Sequence, residues 1–139
     1  MKGNNIVGFS DAAMIAIHAL TVLPASDAGE LLAGRDLSAR IAAPENHVAK
    51  VMQRLVRAGL AASTKGPSGG FRLGRDAKRI TIREILETID GPMDSGVCPF
   101  RHETCDRSNC VFGRELDRHV RELLDYFGKR TLADAISGR

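Results

Sequence analysis

The sequence predicts a mainly α-helical fold with one small β-hairpin: a winged helix-turn-helix followed by a long C-terminal helix. Three observations predict it. Val48, Val51, Met52, Leu55 and Val56 fall at i, i+3, i+4, i+7 and i+8 of one segment, the clearest helical period in the chain. Two short strand-like runs, Leu60–Thr64 and Phe71–Leu73, follow directly and flank the turn Lys65-Gly66-Pro67-Ser68-Gly69-Gly70. A second long stripe, Leu116, Val120, Leu123, Leu124 and Phe127, lies near the C-terminus, behind a loop that holds all three cysteines, at positions 98, 105 and 110.

Residues 1–9 read as a short extended segment. Ser10 is placed to cap a helix that starts at Asp11, because a hydroxyl before the first turn accepts an otherwise orphaned backbone N–H. From Ala12 to Leu23 nearly every residue is apolar. Such a helix is either central to the fold or also packed on a second subunit. Pro24 ends it. His18 on this helix reads as a packed or partly exposed side chain rather than a ligand. A short helix follows near Gly34–Ile41, with Leu37 and Ile41 inward, and Ala42-Ala43 make a turn. Pro44 opens the next helix, where its fixed φ suits the first position, and Gly59 stops it. The face opposite its apolar stripe carries Asn46, His47, Lys50, Gln53, Arg54 and Arg57. Two short helices joined by a tight turn, the second polar and basic outside, form a helix-turn-helix pattern, and the hairpin behind it is a wing. A nucleotide-phosphate loop is a poor alternative for the glycine-rich tip, since no Lys-Ser/Thr pair follows it. Thr81-Ile82-Arg83-Glu84 has the form of a capping box. It opens a helix buried through Ile82, Ile85, Leu86 and Ile89 and ended by Gly91-Pro92. The cysteine loop extends from about Met93 to Val111, the last long helix from Gly113 to Phe127, and Thr131-Leu132-Ala133-Asp134 starts a short terminal helix.

The totals describe an ordinary globular chain of 139 residues, 43% hydrophobic and 27% charged. No apolar run approaches the ~20 residues of a membrane span, and Ala12–Leu23 lacks the basic leader and cleavage site of a signal peptide. A cytoplasmic location is therefore expected, where clustered cysteines suggest metal or redox chemistry more than a disulfide frame. Net charge is only +3, but residues 35–83 carry 11 Lys/Arg against Asp36, Glu45 and Asp76, while residues 84–126 carry 10 Asp/Glu against 5 Arg. One basic segment points to a polyanion such as nucleic acid; a solvated surface is the plain alternative.

At this point the residues support a resemblance. The chain resembles the Rrf2 family of bacterial transcription regulators over nearly its whole length. The match is carried by PENHVAKVMQRLVRAGL (44–60), the wing KGPSGGFRL (65–73), the helix ITIREILETIDGP (80–92), and a three-cysteine loop followed by a long helix ending in TLAD (131–134). The resemblance implies a winged-helix homodimer paired through the long C-terminal helix. It also implies an iron–sulfur cluster in the three-cysteine members that tunes DNA binding. The corresponding division is 1–92 for DNA binding, 93–112 for the cluster loop, and 113–139 for the dimerisation helix and tail.

A helix in the major groove reads base edges, and a wing touches phosphate or the minor groove. On the second helix the candidates are Glu45, Asn46, His47, Lys50 and Gln53, with Arg54 and Arg57 meeting phosphate or the surface. On the wing they are Lys65, Gly66, Ser68, Gly69, Gly70 and Arg72. Two copies about a twofold axis would read a palindromic site in double-stranded DNA.

The cysteines are spaced C-x6-C-x4-C, which is not a ferredoxin spacing and does not name the metal. Three thiolates, Cys98, Cys105 and Cys110, plus one further ligand could hold zinc or an iron–sulfur cluster, 2Fe–2S or 4Fe–4S; packed or unbound thiols are the alternative. A cluster could be lost from protein prepared in air. Many family members have a His three residues after the last cysteine; here that position is Gly113. His102 lies between two of the ligands, Cys98 and Cys105. His119 would lie about 13 Å along a helix from Cys110, on the far side. Phe9-Ser10-Asp11-Ala12 is similar to the N-terminal motif of the family's nitric-oxide-sensing branch, where an Asp of the partner subunit completes the cluster. The resemblance thus implies Asp11 as fourth ligand; otherwise Asp11 simply sits favourably at a helix N-terminus. The expected function is a DNA-binding regulator controlled by a cluster sensing nitric oxide, redox state or cluster supply. The alternative is a metal-free thiol-redox, or zinc-containing, regulator. No nucleophile–base set or carboxylate pair supports an enzyme. A metal-binding adaptor docking protein through the acidic rear half is the remaining class.

Overall fold

The computed structural model describes residues 8–93, 110 and 113–138. The sequence expectations at Cys98 and Cys105 lie outside the described residues.

Helix α1 spans Asp11–Val22. Ser10 caps it as expected, its hydroxyl accepting from the Ala13 N–H at 3.1 Å. The face turned to the core is built from Ala13, Ala16, Ala19 and Leu20, all without solvent exposure. Small side chains there bring the α1 backbone close to its neighbours, while Met14 is 42% exposed. The apolar helix is therefore central on one face and open on another.

Helices α2 (Gly34–Ile41) and α3 (Glu45–Arg57) form the helix-turn-helix. Ala42 makes the turn in the left-handed region, at φ 52°. Pro44 caps α3 from just outside it, at φ −60°, rather than standing as its first residue. Its carbonyl accepts from both His47 and Val48 N–H at 3.0 Å. The stripe predicted for this helix is its buried face: Val48, Val51, Met52 and Leu55 are in the core and Val56 packs against it. Gly59, at φ 75°, turns the chain out of the helix.

Strands β1 (Ala61–Thr64) and β2 (Gly70–Leu73) pair antiparallel, with Ala61 opposite Leu73 and Thr64 opposite Gly70. Leu60, expected in the strand, lies just before it and is fully buried. The hairpin is not a free flap. Phe71 exchanges two backbone hydrogen bonds with Leu32, at 2.8 and 2.9 Å, which ties β2 to the segment entering α2.

A 3-10 turn at Ala77–Arg79 leads to α4, Ile82–Asp90. Thr81 caps α4 through the Glu84 N–H at 3.1 Å. The Glu84 carboxylate pairs with Arg75, so the acidic residue of the predicted capping box is engaged in an ion pair. Helix α5 covers Gly113–Lys129, two residues beyond the expected end, and is about 25 Å long. A full capping box, Thr131 with Asp134, starts α6 (Leu132–Ser137). The link between α5 and α6 lies along the entry to α4. Ile82 N–H donates to the Arg130 carbonyl at 2.9 Å and Leu132 N–H to the Ile80 carbonyl at 2.7 Å. Leu132 is fully buried in the same core as Leu20, Met52, Leu55 and Leu86. Among the described residues, no helix is long and apolar enough to cross a membrane.

Candidate nucleic-acid interface

The buried stripe of α3 fixes which of its residues face outward. With Val48, Val51, Met52 and Leu55 in the core, Glu45, Asn46, His47, Lys50, Gln53, Arg54 and Arg57 are all exposed. The first turns carry Glu45, Asn46, His47 and Lys50. Asn46 uses its side-chain oxygen locally, accepting from the His47 N–H at 3.0 Å.

The wing is set beside the C-terminal half of this helix. Between them lies an open groove of about 760 Å³, with Gln53, Val56 and Arg57 on the helix side and Lys65, Gly66, Gly69 and Gly70 on the wing side. Six of the residues expected from sequence to contact DNA thus line one groove. The wing turn is closed by the Gly69 N–H donating to the Gly66 carbonyl at 2.9 Å, with Gly66 at φ 108°. Ser68 is exposed on the same turn. Arg72 is half-buried; strand alternation puts it on the hairpin face opposite Phe71, which lines the groove.

Arg54 is the sequence candidate with a different placement. Its Nη2 donates to the carbonyls of Thr88 at 3.2 Å and Ile89 at 2.5 Å, in the last turn of α4. Two other cations of the basic segment also take internal partners: Arg75 pairs with Glu84, and Arg83 with Glu87. Lining residues that sequence reasoning missed include the hydroxyl-bearing Ser63 and Thr64 on β1, and Ala33 and Gly34 at the start of α2. The latter two carry no polar side chain and reach the groove where the wing is stitched to Leu32.

Of the proposed metal ligands, Cys110 is half-buried three residues before α5, and Asp11 is exposed in the first turn of α1. Among the described residues, no three His, Cys, Asp or Glu side chains converge as a metal site, and two of the three cysteines lie outside those residues. Next to Asp11, the Ser10 N–H and hydroxyl both donate to the Asp90 carboxylate, the N–H at 3.0 Å. The start of α1 is thereby pinned to the end of α4.

Comparison with known proteins follows the same outline. The Rrf2 family, described as iron-dependent transcriptional regulators, matches residues 9–138. A protein of Aquifex aeolicus (strain VF5), provisionally designated an HTH-type transcriptional regulator, is 28% identical over 132 residues, 93% of this chain and 91% of that protein. The HTH-type transcriptional regulator IscR of Yersinia pseudotuberculosis is 30% identical over 105 residues, 75% of this chain. The match spans 63% of that IscR, less than two-thirds of its length. Among solved structures, CymR, the global cysteine regulator of B. subtilis, is similar with a TM-score of 0.73 at 22% identity, over 94% of this chain and 96% of that one. IscR of T. potens gives 0.71 at 17% identity, over 96% and 90%. These likenesses show the same winged-helix fold. With helix-turn-helix, wing and flanking helices all inside the matched span, the chain belongs to the Rrf2 family of DNA-binding transcription regulators, which are not enzymes.

Proposed function

We propose that this regulator binds a palindromic operator as a cytoplasmic homodimer, and that an iron–sulfur cluster sets its operator affinity in response to nitric oxide, redox state or cluster supply. The observation that carries the DNA half is the groove between α3 and the wing, with Gln53 and Arg57 facing Lys65. Glu45, Asn46, His47 and Lys50 on the first turns of α3 are nearest the bases in this reading. Arg57, Lys65, Ser68, Arg72 and the Gly66, Gly69 and Gly70 backbone meet the phosphates. The homodimer reading is supported by α5. Phe127 packs against the common core, whereas Leu116, Val120 and Leu123 farther along the stripe keep part of their surface open. The roles divide accordingly: residues 1–92 bind DNA, 93–112 hold the cluster, and 113–139 pair the subunits.

The donor set suits the cluster chemically. Cys98, Cys105 and Cys110 supply soft thiolates, and Asp11 of the partner subunit supplies a hard, weakly held carboxylate. A bound cluster would provide an iron centre that reacts with nitric oxide or oxygen. The chain's part is to hold three positions firmly and one loosely. The family description as iron-dependent regulators supports iron over zinc.

The test is purification without air, followed by an absorption spectrum, iron and sulfide counts, and operator binding with and without the cluster. A coloured protein with iron and sulfide, and different operator affinities in the two states, is expected; the count per chain separates 2Fe–2S from 4Fe–4S. A colourless protein with stoichiometric zinc would refute the cluster. Metal-free protein whose cysteines show thiol-reversible mass shifts would replace it with a thiol switch.

A further inference from the structure

We propose that Arg54 is a positioning residue of α3: it acts on DNA binding by fastening this helix to the last turn of α4, at the root of the cysteine segment, and not by touching phosphate. The coupling half of this inference rests on the sensor reading above; the fastening half rests on geometry alone.

A helix ends with four carbonyls that have no partner within it. In α4 these belong to Glu87, Thr88, Ile89 and Asp90. The Gly91 N–H satisfies Glu87 at 3.0 Å. Arg54 then satisfies two more, Thr88 and Ile89, from another helix. A guanidinium suits the place because the C-terminal end of a helix carries partial negative charge. Along α3, Arg54 lies between Lys50 and Arg57 in helical position. That is why sequence alone groups it with them, yet its side chain is turned onto α4.

The same turn of α4 is held in two further directions. Asp90 accepts from the Ser10 N–H and hydroxyl at the start of α1. Met93 is held on both of its backbone groups: its N–H donates to Glu87 Oε1 at 3.0 Å, and its carbonyl accepts from Arg83 Nη2 at 3.1 Å. Arg83 and Glu87 are themselves paired at 3.1 Å. Cys98 follows Met93 by five residues, at most about 18 Å of chain. The last turn of α4 is therefore where the cysteine segment, the start of α1 and the DNA-facing helix meet. Arg54 gives that junction a direct hydrogen-bonded link to α3, beside the apolar packing of the two helices, and it stands one residue from Gln53 and three from Arg57, both in the groove.

The experiment uses the full-length protein and an operator duplex selected in vitro with the wild type. Arg54→Gln and Arg57→Gln are each titrated between about 50 and 200 mM salt, with and without cluster. Arg57→Gln should weaken both states alike and make the slope of log K against log salt shallower by about 2 for a dimer. Arg54→Gln should leave the slope at its wild-type value and bring the ratio of holo to apo affinities to within about twofold of one. Should Arg54→Gln fold poorly, Arg54→Lys, with a single amine for two carbonyls, should give the wild-type slope and an intermediate ratio. A slope that falls with Arg54→Gln as it does with Arg57→Gln makes Arg54 a phosphate contact and overturns the inference. So does a wild-type slope with an unchanged ratio. Iron and sulfide counts on the wild type keep the two readings apart: protein without them removes the sensor reading and the coupling with it, and the fastening is then decided by whether Arg54→Gln weakens operator binding at the wild-type slope.

Discussion

Gly70→Ala tests how the wing is attached. A Cβ at this position would lie 2.5 Å from the Leu32 carbonyl oxygen, 2.7 Å from its carbon and 3.0 Å from the Ala33 nitrogen. All three are backbone atoms, so no side chain can rotate out of the way. Relief requires β2 to move off Leu32, which breaks the Phe71 N–H bond to the Leu32 carbonyl and its reciprocal, at 2.8 and 2.9 Å. Each is worth about 1 kcal/mol net, and partial loss of Phe71 packing adds about 1 more. The expected cost is about 3 kcal/mol, a large share of the roughly 5–15 that hold a domain together. Ala33 is also the N-cap of α2, so the displacement reaches the helix-turn-helix. Gly66→Ala is the control. It has nothing within 4 Å and φ of 108°, so it meets backbone strain alone, on the order of 1 kcal/mol at an exposed tip that can relax. Urea unfolding of both variants, at unchanged m, gives the comparison. Gly70→Ala within about 0.5 kcal/mol of wild type, or no worse than Gly66→Ala, would refute the steric argument.

Asp11→Ala should leave the unfolding midpoint within about 0.5 kcal/mol of wild type while speeding cluster loss in air or changing the visible spectrum; no change in either removes Asp11 from the site. Asp134 carries a pH signature. The Thr131 backbone N–H, donating at 2.8 Å, holds its carboxyl below the ordinary 3.8, with the Thr131 hydroxyl and Arg130 acting the same way. The stability this contributes is fully present above 3.8 and is lost as pH falls through the lowered folded value. Asp134→Asn should therefore flatten the stability–pH curve in that acid window and leave its slope near neutrality alone, read as urea midpoints across the range. Finally, the proposed dimer should bind operator with a log–log salt slope of about −5, made shallower by about 2 in Lys65→Ala, while Lys50→Ala should weaken binding at the wild-type slope; a slope insensitive to Lys65→Ala would place the phosphate contacts elsewhere.

What the sequence disclosed is what repeats within one element. The Val48–Val56 spacing gave the buried face of α3, and therefore, by subtraction, the exposed set from Glu45 to Arg57. Ser10, Thr81 and Thr131 each marked a helix start, because a cap is a local event between residues three apart. What stayed hidden depends on partners far along the chain. The hydrogen bonds from Ser10 to Asp90 span 80 residues and those from Arg54 to Thr88 and Ile89 span 34 and 35. The Leu32–Phe71 pairing, which sets the wing against α2, is likewise non-local. Helix α1 shows the limit from the other side. Its composition is apolar all round, but which face is core was decided by size: alanines where backbones approach closely, Met14 outward. Glu84 had two favourable partners within reach, the backbone behind Thr81 and the guanidinium of Arg75; the structure pairs it with the charged one.

Charge counting alone would overstate the grip on DNA. The segment 35–83 carries 11 Lys/Arg; if all met phosphate in both subunits, the salt slope would approach about −20. The fold gives part of that set internal partners. Arg54 is turned onto α4 carbonyls, Arg75 is neutralised by Glu84, and Arg83 is shared between Glu87 and the Met93 carbonyl. Lys78 and Arg79 lie on or beside the 3-10 turn past β2, away from the groove-lining set. Of the rest, Arg35 and Arg40 are exposed on α2 outside the groove-lining set, Lys50 is assigned to the bases, and Arg57, Lys65 and Arg72 are the cations assigned to phosphate. Three per subunit in the proposed dimer give the slope of about −5, a little under one unit for each phosphate neutralised. A modest electrostatic grip has a mechanistic consequence. When counterion release supplies only part of the affinity, the rest depends on how α3 is oriented in the groove, and that orientation is what a junction at the end of α4 is placed to control.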